Sequence, residues 1–204
     1  MPDTYAEHIA QCNQLAQSSP DNLRRACTFV LATIQQQLET VPAIMRDFER
    51  NGSKSKYAFG SKSAGLDFLR DNIYALDSAA HQALARKDWQ MLLEAFLAVP
   101  GLGMVKSGFA CQLFAGSVGC IDTHNIKLYG VKLSTLKYGY PKRRETIERK
   151  LSDYIGLCHG IGSRDLWAGW CQYVANLRPD NWADGEAVSQ LHIDCLSGHY
   201  GGSH

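Results

Sequence analysis

The chain of 204 residues carries almost no net charge, +1 at pH 7 from 21 basic and 20 acidic side chains. A polyanion would therefore be bound through a local patch and not through a field spread over the molecule. No apolar run approaches the roughly 18 residues that a membrane span needs, so no membrane partner is expected. The N-terminus, Met-Pro-Asp-Thr-Tyr-Ala-Glu, lacks the basic segment and apolar core of a secretory leader, and an intracellular, cytoplasmic protein is expected. Paired cysteine is missing as well. The seven cysteines, at 12, 27, 111, 120, 158, 171 and 195, are odd in number, scattered, and include no CxxC. They read as reduced core thiols, and the wide intervals between Cys158, Cys171 and Cys195 argue against an iron–sulfur cluster. His159, His192 and His199 are spaced too widely to suggest a metal site, so no metal is expected.

What is present is helical periodicity. No stretch of the first hundred residues alternates with period two, and apolar residues recur instead at three- and four-residue intervals, which predicts a nearly all-α fold. A first helix is expected over Thr4 to Gln17, capped by Asp3 or Thr4. A second, opening at Pro20, runs through Leu23, Cys27, Val30, Ile34 and Leu38 to end near Pro42. Helical signal returns at Leu66 and continues to Leu84, with possible breaks at Asp71-Asn72 or Asp77-Ser78. Asp88 caps a helix that buries Trp89, Leu92, Leu93, Phe96 and Leu97. Later helices open at Ser163 and Asp184, and the tail from Ser197 reads as frayed.

Residues 50–63 are small, polar and basic. They read either as a flexible surface loop or as a nucleic-acid-facing loop in which Lys54, Lys56 and Lys62 meet phosphates while an aromatic ring such as Tyr57 stacks on bases. Residues 127–150 carry eight Lys/Arg against Glu145 and Glu148. A helix from near Pro141 with Glu145–Arg149 pairing would place half of this charge on a solvated face; the rest is a candidate phosphate rim.

The most informative stretch is Val99-Pro-Gly-Leu-Gly103 followed by Ile121-Asp-Thr-His124. Gly101 and Gly103 permit a tight turn that approaches another surface closely, and the unpaired amides at the start of the following helix make an anion site. Asp122 at the head of the next helix reads either as a cap or as a catalytic acid. Over residues 88 to 130 this pattern resembles the helix-hairpin-helix and catalytic-aspartate signature of the HhH-GPD DNA glycosylase superfamily, L-P-G-V-G-x-x-T-A followed by V-D-x-H.

The resemblance implies a single unit of two helical lobes with a cleft between them, a helix-hairpin-helix at about 88–116 and a catalytic-acid helix from 122. It implies DNA as partner, contacted by Pro100, Gly101, Leu102, Gly103, Val105, Lys106 and Ser107, a possible monovalent cation at the hairpin, and no other cofactor. Asp122 would stabilise positive charge on the sugar as the base leaves or activate a nucleophile, with His124 as an orienting partner or second acid/base. The chain departs from the pattern at Val105, where bifunctional members carry a lysine nucleophile. Lys106 lies one residue, about 100° of helix, further on and reads better as a phosphate contact than as a Schiff-base nucleophile. Gly108, inside a helix, suggests close packing or a ligand's close approach. Trp167, Trp170 and Tyr173 read as a core stripe.

These features favour a monomeric, monofunctional DNA glycosylase acting on an extruded base. A phage-type transferase that places an amino acid or polyamine on a modified pyrimidine is the alternative. A non-catalytic DNA-binding module is the third reading.

Overall fold

Capping chemistry sets the first helices. In the computed structural model, which describes residues 3–132 and 143–200, α1 spans Thr4–Gln17 and Asp3 Oδ1 accepts from the Ala6 amide at 3.3 Å. Ser19 caps α2, Pro20–Ala32, with Pro20 in its first turn, where no backbone donor is lost. The helix does not continue to Pro42 as the periodicity predicts. It stops at Ala32, Gln35 takes a positive φ of 55°, a 3-10 turn follows at Leu38–Thr40, and α3 begins at Val41. Pro42 falls in the first turn of α3 and so starts a helix where it was expected to end one. Leu38 and Val41 are buried from this connection instead of from α2.

The fourth helix, α4, runs unbroken over Ser61–Arg86. Neither Asp71-Asn72 nor Asp77-Ser78 interrupts it. Asp71 pairs with Arg70 at 2.7 Å and Asn72 bonds back to the Phe68 carbonyl, so these polar residues find partners without leaving the helix. Then come α5 (Trp89–Leu97), α6 (Met104–Ala115) and the short α7 (Thr123–Leu128). The last three are α8 (Arg144–Ile161), α9 (Ser163–Leu177) and α10 (Gly185–Ser197). No strand occurs among the described residues, and the fold class is all-α.

In α8 the pair that forms is Arg144–Glu148 at 2.7 Å, one residue out of step with the expected Glu145–Arg149. Pro141, Lys137 and Lys142 lie outside the described residues. The described part of the tail, residues 197–200, is held in place. Ser197 Oγ bonds to the Ile193 carbonyl at 2.9 Å, and the Tyr200 hydroxyl donates to Glu49 across the fold. Residues 201–204 lie outside the description.

Buried side chains form one continuous cluster, in which Phe29, Phe96, Phe114 and Tyr154 are among the largest that are fully enclosed. In it α10 packs on α1 and α9, α2 packs on α4, and α5 with α6 closes the centre. No helix among the described residues is long and apolar enough to cross a membrane. All seven thiols are free, and six are buried. Burial pushes Cys12, Cys27, Cys158 and Cys195 up to about 12. Cys120 alone is partly exposed, and burial likewise pushes it up to about 12. A thiol reagent at neutral pH should therefore label the folded protein slowly and at Cys120 first, then at all seven positions once guanidinium is added, as peptide mass mapping would show.

Candidate active site

The hairpin joins α5 to α6 through residues 98–103. Gly101 takes φ +90°, and a β-carbon there would lie 3.1 Å from the Ser61 carbonyl oxygen and 3.2 Å from Leu31. The Pro100 carbonyl is pressed against Gly65 of α4, where a β-carbon would come within 2.4 Å of it. Glycine at both positions lets the turn lie flat on the start of α4. Gly103 opens α6 with no side-chain cap, so the first amides of that helix stay unpaired, as an anion site needs. Leu102 and Ser107 are buried and act in packing: the Leu102 amide bonds to the Val99 carbonyl at 3.1 Å and Ser107 Oγ to the Leu102 carbonyl at 3.4 Å. Pro100, Gly101, Gly103, Val105 and Lys106 keep some exposure.

The carbonyl oxygens of Val99 and Leu102 each accept one hydrogen bond and retain a second lone pair. No group of three or more His, Cys, Asp or Glu suited to a metal occurs among the described residues.

Gly108 resolves into close packing. A β-carbon there would lie 2.4 Å from the Tyr154 hydroxyl and 2.5 Å from the Gly119 carbonyl oxygen. The Tyr154 hydroxyl, held protonated by complete burial, donates to the Gly119 carbonyl at 2.7 Å and accepts from the Ile121 amide at 3.3 Å. Gln112 accepts from the Cys120 amide at 3.3 Å and donates to the Ser163 carbonyl at 2.7 Å. Asn125 Nδ2 donates to the carbonyls of Cys120 and Leu166, at 2.7 and 3.2 Å. Residues 119–121 are thus moored to α6, α7, α8 and α9, and the mooring sets the position of Asp122.

Asp122 is both a cap and a cavity residue. Its Oδ1 accepts from the amides of His124 and Asn125, at 2.9 and 3.0 Å. Its Oδ2 has no partner among the described residues, and the carboxylate lines a cavity of about 320 Å³. The same cavity takes Lys106, Phe109 and Cys120 from the hairpin side, Leu166, Trp167 and Trp170 from α9, and His192 from α10. Its mouth is bordered by Gln37 and Glu39 of the α2–α3 connection and by Arg178.

Lys106 lines the cavity. Its ammonium donates to Thr33 Oγ1 at 3.2 Å and lies 5.7 Å from the centre of the Phe109 ring, inside the cavity with Asp122. Val105 lies outside the cavity and packs against the edge of the core. His124 reaches Asp122 through its backbone only, and its ring stacks on Tyr173, with centroids 3.6 Å apart and planes at 14°. The expected Trp stripe divides: Trp167 is core and cavity wall at once, Trp170 is cavity wall, and Tyr173 is exposed.

The basic loop stays apart from the cavity. Ser55 donates to Asp47 and folds the segment back, Lys54 and Lys56 are exposed, and the Lys56 ammonium sits 5.0 Å from the Tyr57 ring centre. Lys62 is buried, and its ammonium has no hydrogen-bond partner among the described residues.

The residue that sequence reasoning missed is His192, 1% exposed. Its Nδ1 lies 2.9 Å from the Val188 carbonyl, which can only accept, so Nδ1 carries the proton. Burial, with help from the positive charges of His8 and Lys106 and against the Val188 bond, lowers its pKa from 6.5 to about 4. A histidine whose folded-state value is depressed stays neutral while the unfolded chain takes up protons, so stability falls as pH drops from 6.5 to 4. Between pH 7 and pH 4 the native protein should lose about 3 kcal/mol more stability than His192→Gln, measured by urea unfolding of both proteins at each pH.

No protein-family model matches the chain, and no curated protein or solved structure matches it significantly.

Proposed function

We propose that the protein is an intracellular, monomeric DNA-acting enzyme that draws one nucleotide out of the strand and breaks its glycosidic bond, a monofunctional DNA glycosylase of the HhH-GPD type. The reading includes the two-lobed arrangement of that family, with the cavity as its cleft. One observation carries it: Asp122 and Lys106 share an aromatic-walled cavity directly beside a hairpin whose helix opens with unpaired amides.

The chemistry follows from the placement of charge. As the C1′–N bond breaks, the electron pair leaves with the base and positive charge grows on the sugar. The Asp122 carboxylate stabilises that charge and takes a proton from the attacking water. The Lys106 ammonium faces the negative charge that develops on the departing base. The hairpin amides and the backbone at Gly101 and Gly103 hold a flanking phosphate.

Arg178 favours a second reading. With the Gln37 amide oriented to satisfy both neighbours, its oxygen accepts from Arg178 Nη2 at 2.8 Å and its nitrogen donates to Glu39 at 3.2 Å. A guanidinium at the cavity mouth suits the carboxylate of an amino-acid donor, and the protein would then be the hypermodification transferase.

Mass spectrometry of nucleosides, after incubation with DNA carrying uracil, oxidised, alkylated or hydroxymethylated bases, with and without amino acids, decides between them. Free base supports the glycosylase and a mass gain supports the transferase. No change in the DNA, together with no retardation of duplex or single strands at low salt, rejects both. Borohydride should trap no covalent adduct; an adduct that disappears in Lys106→Gln would make Lys106 the nucleophile.

A further inference from the structure

The floor of the cavity holds an imidazole with one nitrogen unused. His192 is buried among aromatic rings, its centroid 4.7 Å from Trp167, 5.4 Å from Trp170 and 5.8 Å from Phe109. Because Nδ1–H is committed to the Val188 carbonyl, Nε2 is an acceptor, and no described residue donates to it. The residue nevertheless lines the cavity. An acceptor on the wall of a cavity that no protein group satisfies can take a donor from whatever fills the cavity.

A donor of the opposite kind stands nearby. The Lys106 ammonium lies 5.7 Å from the centre of the Phe109 ring, against which the His192 ring also rests. The cavity therefore offers one neutral acceptor and one cationic donor along the same aromatic wall.

We propose that His192 and Lys106 read the edge of the extruded base, His192 Nε2 accepting from a ring N–H and Lys106 Nζ donating to the carbonyl beside it. The inference rests on the base-acting function above and names its substrate class: an uncharged base with a lactam edge, as in uracil- and thymine-type pyrimidines. Two physical reasons select that class. A lactam places its N–H next to a C=O, matching the acceptor–donor pair, and the charge of the departing anion spreads onto those carbonyl oxygens, where the ammonium meets it. Bases made cationic by N-alkylation are disfavoured, because their charge repels Lys106. His192 stays uncharged at neutral pH, so it acts as an acceptor throughout the working range.

The test uses binding, read by quenching of the tryptophan emission from Trp167 and Trp170. The probe is a single-stranded oligonucleotide with one 2′-fluoro-2′-deoxyuridine, which resists cleavage, set against the same strand with that base methylated at N3. The native protein should bind the unmethylated strand at least about 10-fold more tightly. His192→Phe, which keeps the ring and removes the acceptor, should bring the two strands within about 2-fold of each other, and His192→Gln, whose Oε1 can stand in for Nε2, should restore part of the difference. Equal binding of both strands by the native protein, or an unchanged preference in His192→Phe, overturns the proposal. If either occurs while Asp122→Asn still abolishes base release or transfer, the assignment of His192 fails and the enzyme reading stands. If neither strand binds and no DNA is altered, both fall together.

Discussion

Asp122→Asn should reduce base release or transfer by about 10³-fold or more while leaving the fold intact. The substitution separates the two roles that the carboxylate combines. Asparagine is as good a helix cap as aspartate, so the bonds that Oδ1 accepts from the His124 and Asn125 amides are kept. What is lost is the negative charge of the carboxylate, on which the proposed stabilisation of the sugar cation depends. Asp122→Ala removes the cap as well, and should cost about 1 kcal/mol of stability in addition. Activity on whichever DNA substrate responds, compared with the melting temperature of the three proteins, gives the answer. An Asp122→Asn protein that keeps full activity would reduce Asp122 to a cap and leave the hairpin as a binding element.

The largest structural effect should come from Gly108→Ala. The added methyl group has no free space: it meets the Tyr154 hydroxyl at 2.4 Å and the Gly119 carbonyl at 2.5 Å, and one of these is backbone. Relief requires α6 to move away from α8 or residues 119–121 to shift. Overpacking of this kind costs about 3 kcal/mol or more, which for a chain of this size lowers the melting temperature by roughly 6–12 °C. Since Asp122 follows the displaced segment, activity should fall by about 10²-fold even at temperatures where the variant stays folded. Tyr154→Phe is the companion variant. It creates no clash but removes the hydroxyl from the Gly119 carbonyl and the Ile121 amide, and should cost about 1–3 kcal/mol. A Gly108→Ala protein as stable and active as the native one would mean that this mooring is soft.

Much of this was legible in the residues because the signals are local. Asp3, Ser19-Pro20, Asp88 and Asp184 announce helix starts through their own chemistry, and α1, α2, α5 and α10 begin beside them. Gly108 in a helix interior announced a close approach, although its partner, Tyr154, lies 46 positions along the chain. The end of α2 was not legible. Leu38 and Val41 continue the apolar period of a helix, while the break depends on a positive φ at Gln35, a residue type with no strong preference for it. The placement of Lys106 on the cavity was not legible either, because it depends on Thr33 of α2 and the ring of Phe109 meeting its ammonium. His192 carried no signal at all. On an apolar helix flanked by Val188, Ile193 and Cys195 it has the pattern of a core histidine, and only the tertiary placement of Phe109, Trp167 and Trp170 makes it the floor of a pocket.

The irregular connection between α2 and α3 has a consequence for how such a protein can change. Asp122 is tied to four helices, whereas Gln37 and Glu39 border the same cavity from a segment whose length no helix fixes. Insertions or deletions between Thr33 and Thr40 would reshape the mouth without moving the acid. The outline of the mouth and the position of the acid are thereby set by separate parts of the chain, and substitutions at Gln37 and Glu39 would alter the first while leaving the second in place.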